Sequence, residues 1–280
     1  MLKWSLKLFR VFGIPLAVHS TFFLLAGYMA WEGWYNPPVE HLANPIYGAL
    51  INVAVLVVFF TCVVLHELGH ALTARRFGVA TSRILLLPIG GMAEFDSIPR
   101  QPSSEILIAL AGPAVNFIIV GLLLFFVPFP GEEIMLYFRS LFSTGGDGAE
   151  VNMSILQELL TALLTMNLLM GCFNLVPVFP MDGGRVLRAL LATRLSYLRA
   201  TLYAATIAKV LATTAVVAAV SSGRWLLAGL FAFIFFAGEM EYRVVRRRER
   251  DDERWRKMLT ELEEAAVTPP PLPDVFGRSS

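Results

Sequence analysis

Charge is scarce in this chain. Asp, Glu, Lys and Arg make up 16% of its 280 residues, against 56% that are hydrophobic. A soluble domain carries about 25% charged residues, so an ordinary water-exposed surface is excluded over most of the length. The net charge of +1 says little by itself, because the charges are segregated by loop; the basic C-terminal stretch reads as an inner-leaflet contact rather than a nucleic-acid site. Cysteine is nearly absent too. Cys62 and Cys172 both fall inside apolar runs and offer no disulfide framework. Outside the apolar runs no stretch approaches the roughly 50 residues of a small domain, so a separate sensing or peptide-binding module is not expected.

What the chain has instead is long apolar blocks. Six are of crossing length, at residues 12–31, 48–72, 104–127, 155–176, 199–221 and 224–242, each against the roughly 20 residues that a bilayer requires. Lys3, Lys7 and Arg10 precede the first; Arg75, Arg76, Arg83 and Arg100 follow the second; Arg185, Arg188, Arg194 and Arg199 follow the fourth; a dense cluster at 243–257 follows the sixth. The alternate loops hold only Arg139 and Arg224. By the positive-inside rule this is a multi-pass cell-membrane protein with cytoplasmic N- and C-termini. The basic start before the first block also resembles a secretory signal, but the run is too long for one and contains His19.

Two of the four histidines stand together, in His66-Glu67-Leu68-Gly69-His70 within the second block. On a helix, positions four apart share a face, so both imidazoles can address one ion with Glu67 beside them. Hydrolytic zinc takes three protein ligands and a water, whose pKa falls to about 7 and whose proton a neighbouring carboxylate accepts. Charged groups at membrane depth are costly and mark function by default. Cys62 lies on the same face, but Cys62 to His70 spans about 12 Å of rise, too far for ligands of one ion on a straight helix, so it reads as a packed thiol. Asp182 is the candidate third ligand. It follows Asn174 and Pro177 in a segment broken by prolines and glycines, NLVPVFPMDGGR, where irregular backbone is tolerated only against protein or a wet cavity. The alternative is an interfacial turn with Asp182 capping a helix. Topology favours the ligand reading, because the second and fourth blocks both run inward and bring the three side chains to one depth.

HELGH followed by NLVPVFPMDGGR resembles the site-2 protease family of intramembrane zinc metalloproteases, whose signature is H-E-x-x-H with a later N-x-x-P-x-x-x-x-D-G. GIPLAVHSTF, LPIGGMAEF and AGPAVN extend the likeness over residues 10–245. The resemblance implies six membrane helices, one Zn2+ held by His66, His70 and Asp182, Glu67 as catalytic acid/base, and Asn116 and Asn174 as polar neighbours. Pro177, Gly90 and Gly91 are the remaining accessory candidates.

The expected fold is therefore an all-α polytopic membrane protein of six transmembrane helices, with a small re-entrant or β-hairpin element after the second. Residues 83–95 break at Pro88 and Gly90-Gly91 and read as that element, or as a plain loop. As a strand, it would hold an unwound substrate at its edge, at positions such as Ile84 and Leu86. The protease domain is placed at 1–245 and a charged, then Pro-rich and partly disordered, cytoplasmic tail at 246–280. His19 reads as a core polar group or a site neighbour, and Lys209 as snorkelling or cavity-facing. The functional expectation is a zinc-dependent intramembrane endopeptidase that cuts a transmembrane segment of another protein, with the active site toward the cytoplasmic side and regulation by a separate membrane protein. The alternative is a non-proteolytic membrane binding protein or metal transporter on the same fold.

Overall fold

The first apolar block does not form one crossing helix. In the computed structural model, which describes residues 4–36, 44–88, 90–96, 101–128, 131 and 155–267, the chain turns at Phe12 and Gly13, both at positive φ. Strand β2 (Ile14–His19) follows, then the 15-residue helix α1 (Thr21–Tyr35). β2 pairs antiparallel with β1 (Ser5–Val11) and parallel with β3 (Thr81–Leu87), which pairs antiparallel with β4 (Gly90–Phe95). The order is β1-β2-β3-β4. The all-α expectation, and the first span at 12–31 with it, are thereby corrected. A short apolar run has no period by which helix and strand differ when both faces are covered. Leu16, Ala17 and Val18 are buried in succession, as a strand inside a parallel pair requires.

β3–β4 is the strand-turn-strand read from 83–95, with one correction. Ile84 and Leu86 are interior positions, because β3 lies between β2 and β4; of the sheet's two outer strands, β1 and β4, the hairpin contributes β4. Arg83 clamps the hairpin, donating from Nε to Glu94 Oε2 at 2.9 Å and from a terminal nitrogen to Oε1 at 2.8 Å. That hydrogen bond holds the Glu94 carboxyl below its ordinary range.

Helix α2 (Pro45–Arg76) begins at Asn44, whose side chain accepts from the Ile46 N–H, and closes with Arg75 and Arg76 at its carbonyl end. Its 32 residues rise about 48 Å. α1 crosses it where Gly33 meets Gly48: a Cβ on Gly33 would stand 2.3 Å from the Gly48 carbonyl oxygen. Exposed Tyr28, Trp31, Trp34 and Tyr35 line the end of α1, the residue types of a membrane-interface belt. α3 (Pro102–Leu123), α4 (Ile155–Asn174) and the short α5 (Asp182–Ala192) complete a unit that ends at Tyr197.

The second unit, 198–280, contains most of α6 (Tyr197–Ser221) and α7 (Trp225–Val267), joined by a turn at Gly223 with φ +70°. Lys209 is paired within this unit, its Nζ donating to Glu239 Oε2 at 2.9 Å. α7 continues unbroken through the charged stretch, so 246–267 prolongs the sixth apolar block. The Pro-rich tail from 268 and the loop 132–154 lie outside the described residues.

Among the described residues four helices are long and apolar enough to cross a membrane: α2, α3, α6 and α7 to Glu264. The apolar part of α4, Leu159–Asn174, is shorter, as is α1.

Candidate metal centre

α2 carries His66 and His70 on adjacent turns with their Nε2 atoms 3.1 Å apart. Asp182, the first residue of α5, brings Oδ2 to 3.2 Å from His66 Nε2 and 3.0 Å from His70 Nε2. All three side chains are buried. For a tetrahedral ion with ligands at 2.0–2.1 Å, ligand atoms stand about 3.3 Å apart, so the triangle has the size of a zinc site.

The hydrogen bonds behind the triangle decide what it can hold. Asn167 Nδ2 donates to the Leu163 carbonyl at 2.8 Å, so its Oδ1 is left to accept from Asn116 Nδ2 at 3.1 Å. Asn116 Oδ1 then accepts from His66 Nδ1 at 2.5 Å. His70 Nδ1 donates to the Ile108 carbonyl at 2.7 Å. Both imidazoles therefore carry their proton on Nδ1 and turn an Nε2 lone pair inward. Among the described residues no N–H or O–H donates to Asp182 Oδ2. Three acceptors facing one another repel unless a cation lies between them, and two imidazoles with a carboxylate make a donor set that suits zinc.

One face of α3 supports this arrangement. Glu105, Ile108, Gly112 and Asn116 recur at spacings of three, four and four, the period of a helical stripe. Gly112 has to be glycine, since a Cβ there would lie 2.2 Å from His70 Nε2 and 2.7 Å from His66 Nε2. Gly183 and Gly184 meet the same constraint against the 175–181 segment, where a Cβ would come within 2.3 Å of the Leu175 carbonyl oxygen and 2.7 Å of the Phe179 nitrogen.

Glu67, half-buried on α2, is held by the sheet: its Oε2 accepts from the Ala93 N–H of β4 at 3.0 Å. Gly91 packs on its stem, where a Cβ would come within 2.8 Å of Glu67 Cγ. Gly90 opens β4 at φ +141°, a backbone that a side chain strains. Asn174 closes α4 half-buried and Pro177 is exposed; among the described residues no hydrogen bond joins Asn174 to His66, Glu67, His70 or Asp182. His19 stands apart, with Nδ1 2.8 Å from Thr21 Oγ1 at the start of α1. Cys62 is a core thiol beside Asn167 Nδ2, at 3.4 Å.

Sequence reasoning missed Asn167. An amide in the middle of an apolar helix was the available signal, since polar groups at membrane depth need a partner. It also missed the pairing of Glu105 with Arg188, buried between α3 and α5.

A model of peptidase family M50 matches residues 54–218. Zinc metalloprotease MJ0392 of Methanocaldococcus jannaschii is 37% identical over 244 residues, 87% of this chain and 62% of that protein. Stage IV sporulation protein FB of Bacillus subtilis is 31% identical over 140 residues, 49% of this chain and 40% of that protein. The chain thus spans less than two thirds of the length of either. The solved site-2 protease from Methanocaldococcus jannaschii matches 85% of this chain and 95% of its own at 37% identity, with a TM-score of 0.55. With the family model covering more than half of its residues, this chain belongs to peptidase family M50.

Proposed function

We propose that the chain is a zinc-dependent intramembrane endopeptidase that hydrolyses a peptide bond in or near a transmembrane segment of a membrane-protein substrate. The observation that carries the reading is the convergence of the Asp182 carboxylate on two imidazoles that a helix of membrane-crossing length carries, with the Glu67 carboxylate one residue from His66. His66, His70 and Asp182 would hold the metal, which when bound acidifies a water and polarises the carbonyl it faces. Glu67 takes the proton of the attacking water and returns it to the leaving amine. The Ala93 N–H aims the Glu67 carboxylate, and Asn116 and Ile108 keep the imidazole protons away from the metal side. The direct test incubates purified protein with single-span membrane proteins beside Glu67→Gln. A transporter on this fold would carry metal and leave every substrate intact in both samples.

A helical peptide bond is shielded by its own hydrogen bonds, so the substrate must be extended before attack. The free β4 edge, against Glu67, supports strand addition as the means of holding it. With Cys62 and Cys172 replaced, Met92→Cys should cross-link to cysteines placed along a substrate with a period of two residues, as pairing on an edge requires. Yields that follow a helical period of three to four would rule strand addition out.

The membrane reading keeps six crossings and cytoplasmic termini. α1 and the apolar part of α4 would cross at about 22–24 Å each, so the hydrocarbon layer must thin around them. We take 1–245 as the protease domain and 246–280 as the cytoplasmic tail, with the lipid bilayer and a separate regulatory membrane protein as partners. Cysteine tags at Asn44 and Ser222 should label from outside the cell, and tags at Gln101 and Ser196 only after permeabilisation. Outside labelling of Gln101 would reverse the orientation.

A further inference from the structure

Arg188 on α5 and Glu105 in the first turn of α3 form an ion pair away from the metal ligands. Glu105 Oε1 accepts from Arg188 Nε at 2.7 Å and lies 2.6 Å from a terminal guanidinium nitrogen, with the two side chains 5% and 2% exposed. The guanidinium carbon is 5.2 Å from the Phe179 ring centroid and 5.0 Å from that of Tyr197. Stability alone is a poor reason for such a pair. Desolvating two ions costs about what their attraction returns, and apolar residues of similar volume hold a fold as well. What an apolar pair lacks is direction: a planar guanidinium, hydrogen-bonded at its edge and set over two aromatic rings, fixes the bodies it joins in orientation as well as distance.

The bodies joined here are the two halves of the metal centre. Asp182 sits at the very start of an 11-residue helix, after an irregular segment, so the placement of its carboxylate depends on how that helix and segment are anchored to the rest of the centre. Arg188, six residues on, ties that helix to α3, and Phe179, three residues before Asp182, ties the irregular segment to the same guanidinium. On α3, Glu105 precedes by one turn the Ile108 carbonyl that orients His70 and by two turns the Gly112 backbone beneath both imidazoles.

We propose that Glu105 and Arg188 are positioning residues for the metal centre, which set where the Asp182 carboxylate stands relative to His66 and His70 and so govern metal affinity and ligand geometry. The inference rests on the metal-site reading above. It is tested on the full chain in detergent with the double variant E105M/R188M, which removes both charges and keeps volume, and with Arg188→Lys, which keeps the charge and loses the fork. Three quantities are read: the unfolding midpoint of the metal-free protein, Zn2+ affinity by chelator competition, and the visible spectrum of the Co2+-loaded protein as a gauge of ligand geometry. The double variant should unfold near the native midpoint, yet bind Zn2+ about tenfold or more weakly, in the range seen when groups behind metal ligands are removed, and with an altered Co2+ band. Arg188→Lys should move affinity and spectrum in the same direction. Native Zn2+ affinity and a native Co2+ spectrum in the double variant, whatever its midpoint, would overturn the proposal. If the double variant does not fold, Arg188→Lys decides on the same two readouts, and failure of both to fold would also overturn it, since the pair would then hold the fold and not the centre. A native chain that takes up no Zn2+ would remove the metal-site reading itself, and this proposal with it.

Discussion

Glu67→Gln is expected to keep its metal and lose about 100-fold or more of its proteolytic rate, the usual worth of a general acid/base. Glutamine has the same reach and still offers an oxygen to the Ala93 N–H that Glu67 now receives at 3.0 Å. It lies outside the His66–His70–Asp182 cluster, so the metal is undisturbed. What it lacks is basicity. The measurement pairs elemental zinc analysis with cleavage of a single-span substrate on one preparation. Cleavage within a few-fold of native would take the proton-transfer role from Glu67.

The converse is expected of the three residues proposed as ligands. His66→Ala, His70→Ala and Asp182→Ala should each lower zinc from about one per chain and abolish cleavage, because two ligands do not make a tight site. Asp182→Ala is the sharpest of these, since it removes the only negative charge in the triangle and relieves the lone-pair crowding that calls for a cation. Full zinc occupancy in that variant would show that the third ligand lies elsewhere.

His66 and His70 were legible in the sequence because their relation is local, and Asp182 because the direction of the apolar blocks brings it to the same depth. HELGH pairs two candidate ligands by helical spacing alone, whereas the segment before Asp182, broken at Pro177 and Pro180, fits a capping turn as well as a ligand, and Gly183 and Gly184 after it enter α5. The sheet was less so. Ile14–His19 and a helix of the same residues present one apolar signature, and the strand is selected by its partners, β1 on one side and the sequence-distant β3 on the other. Asn116 was found as a neighbour, but its partner Asn167 was not, nor was the Glu105–Arg188 pair. Each of these depends on which helix faces which, a tertiary fact without a local period.

The stripe on α3 makes the helix a ruler with four marks, Glu105, Ile108, Gly112 and Asn116. Each residue of a helix advances about 100°, so one inserted residue anywhere between 105 and 116 would rotate every mark beyond it off the metal side. No side-chain change could repair the loss, because Gly112 and the Ile108 carbonyl act through the backbone. Tolerance to length change in α3 should thus be sharply divided: none between Glu105 and Asn116, and freedom of a residue or more beyond Val120, where the helix runs on to its end at Leu123.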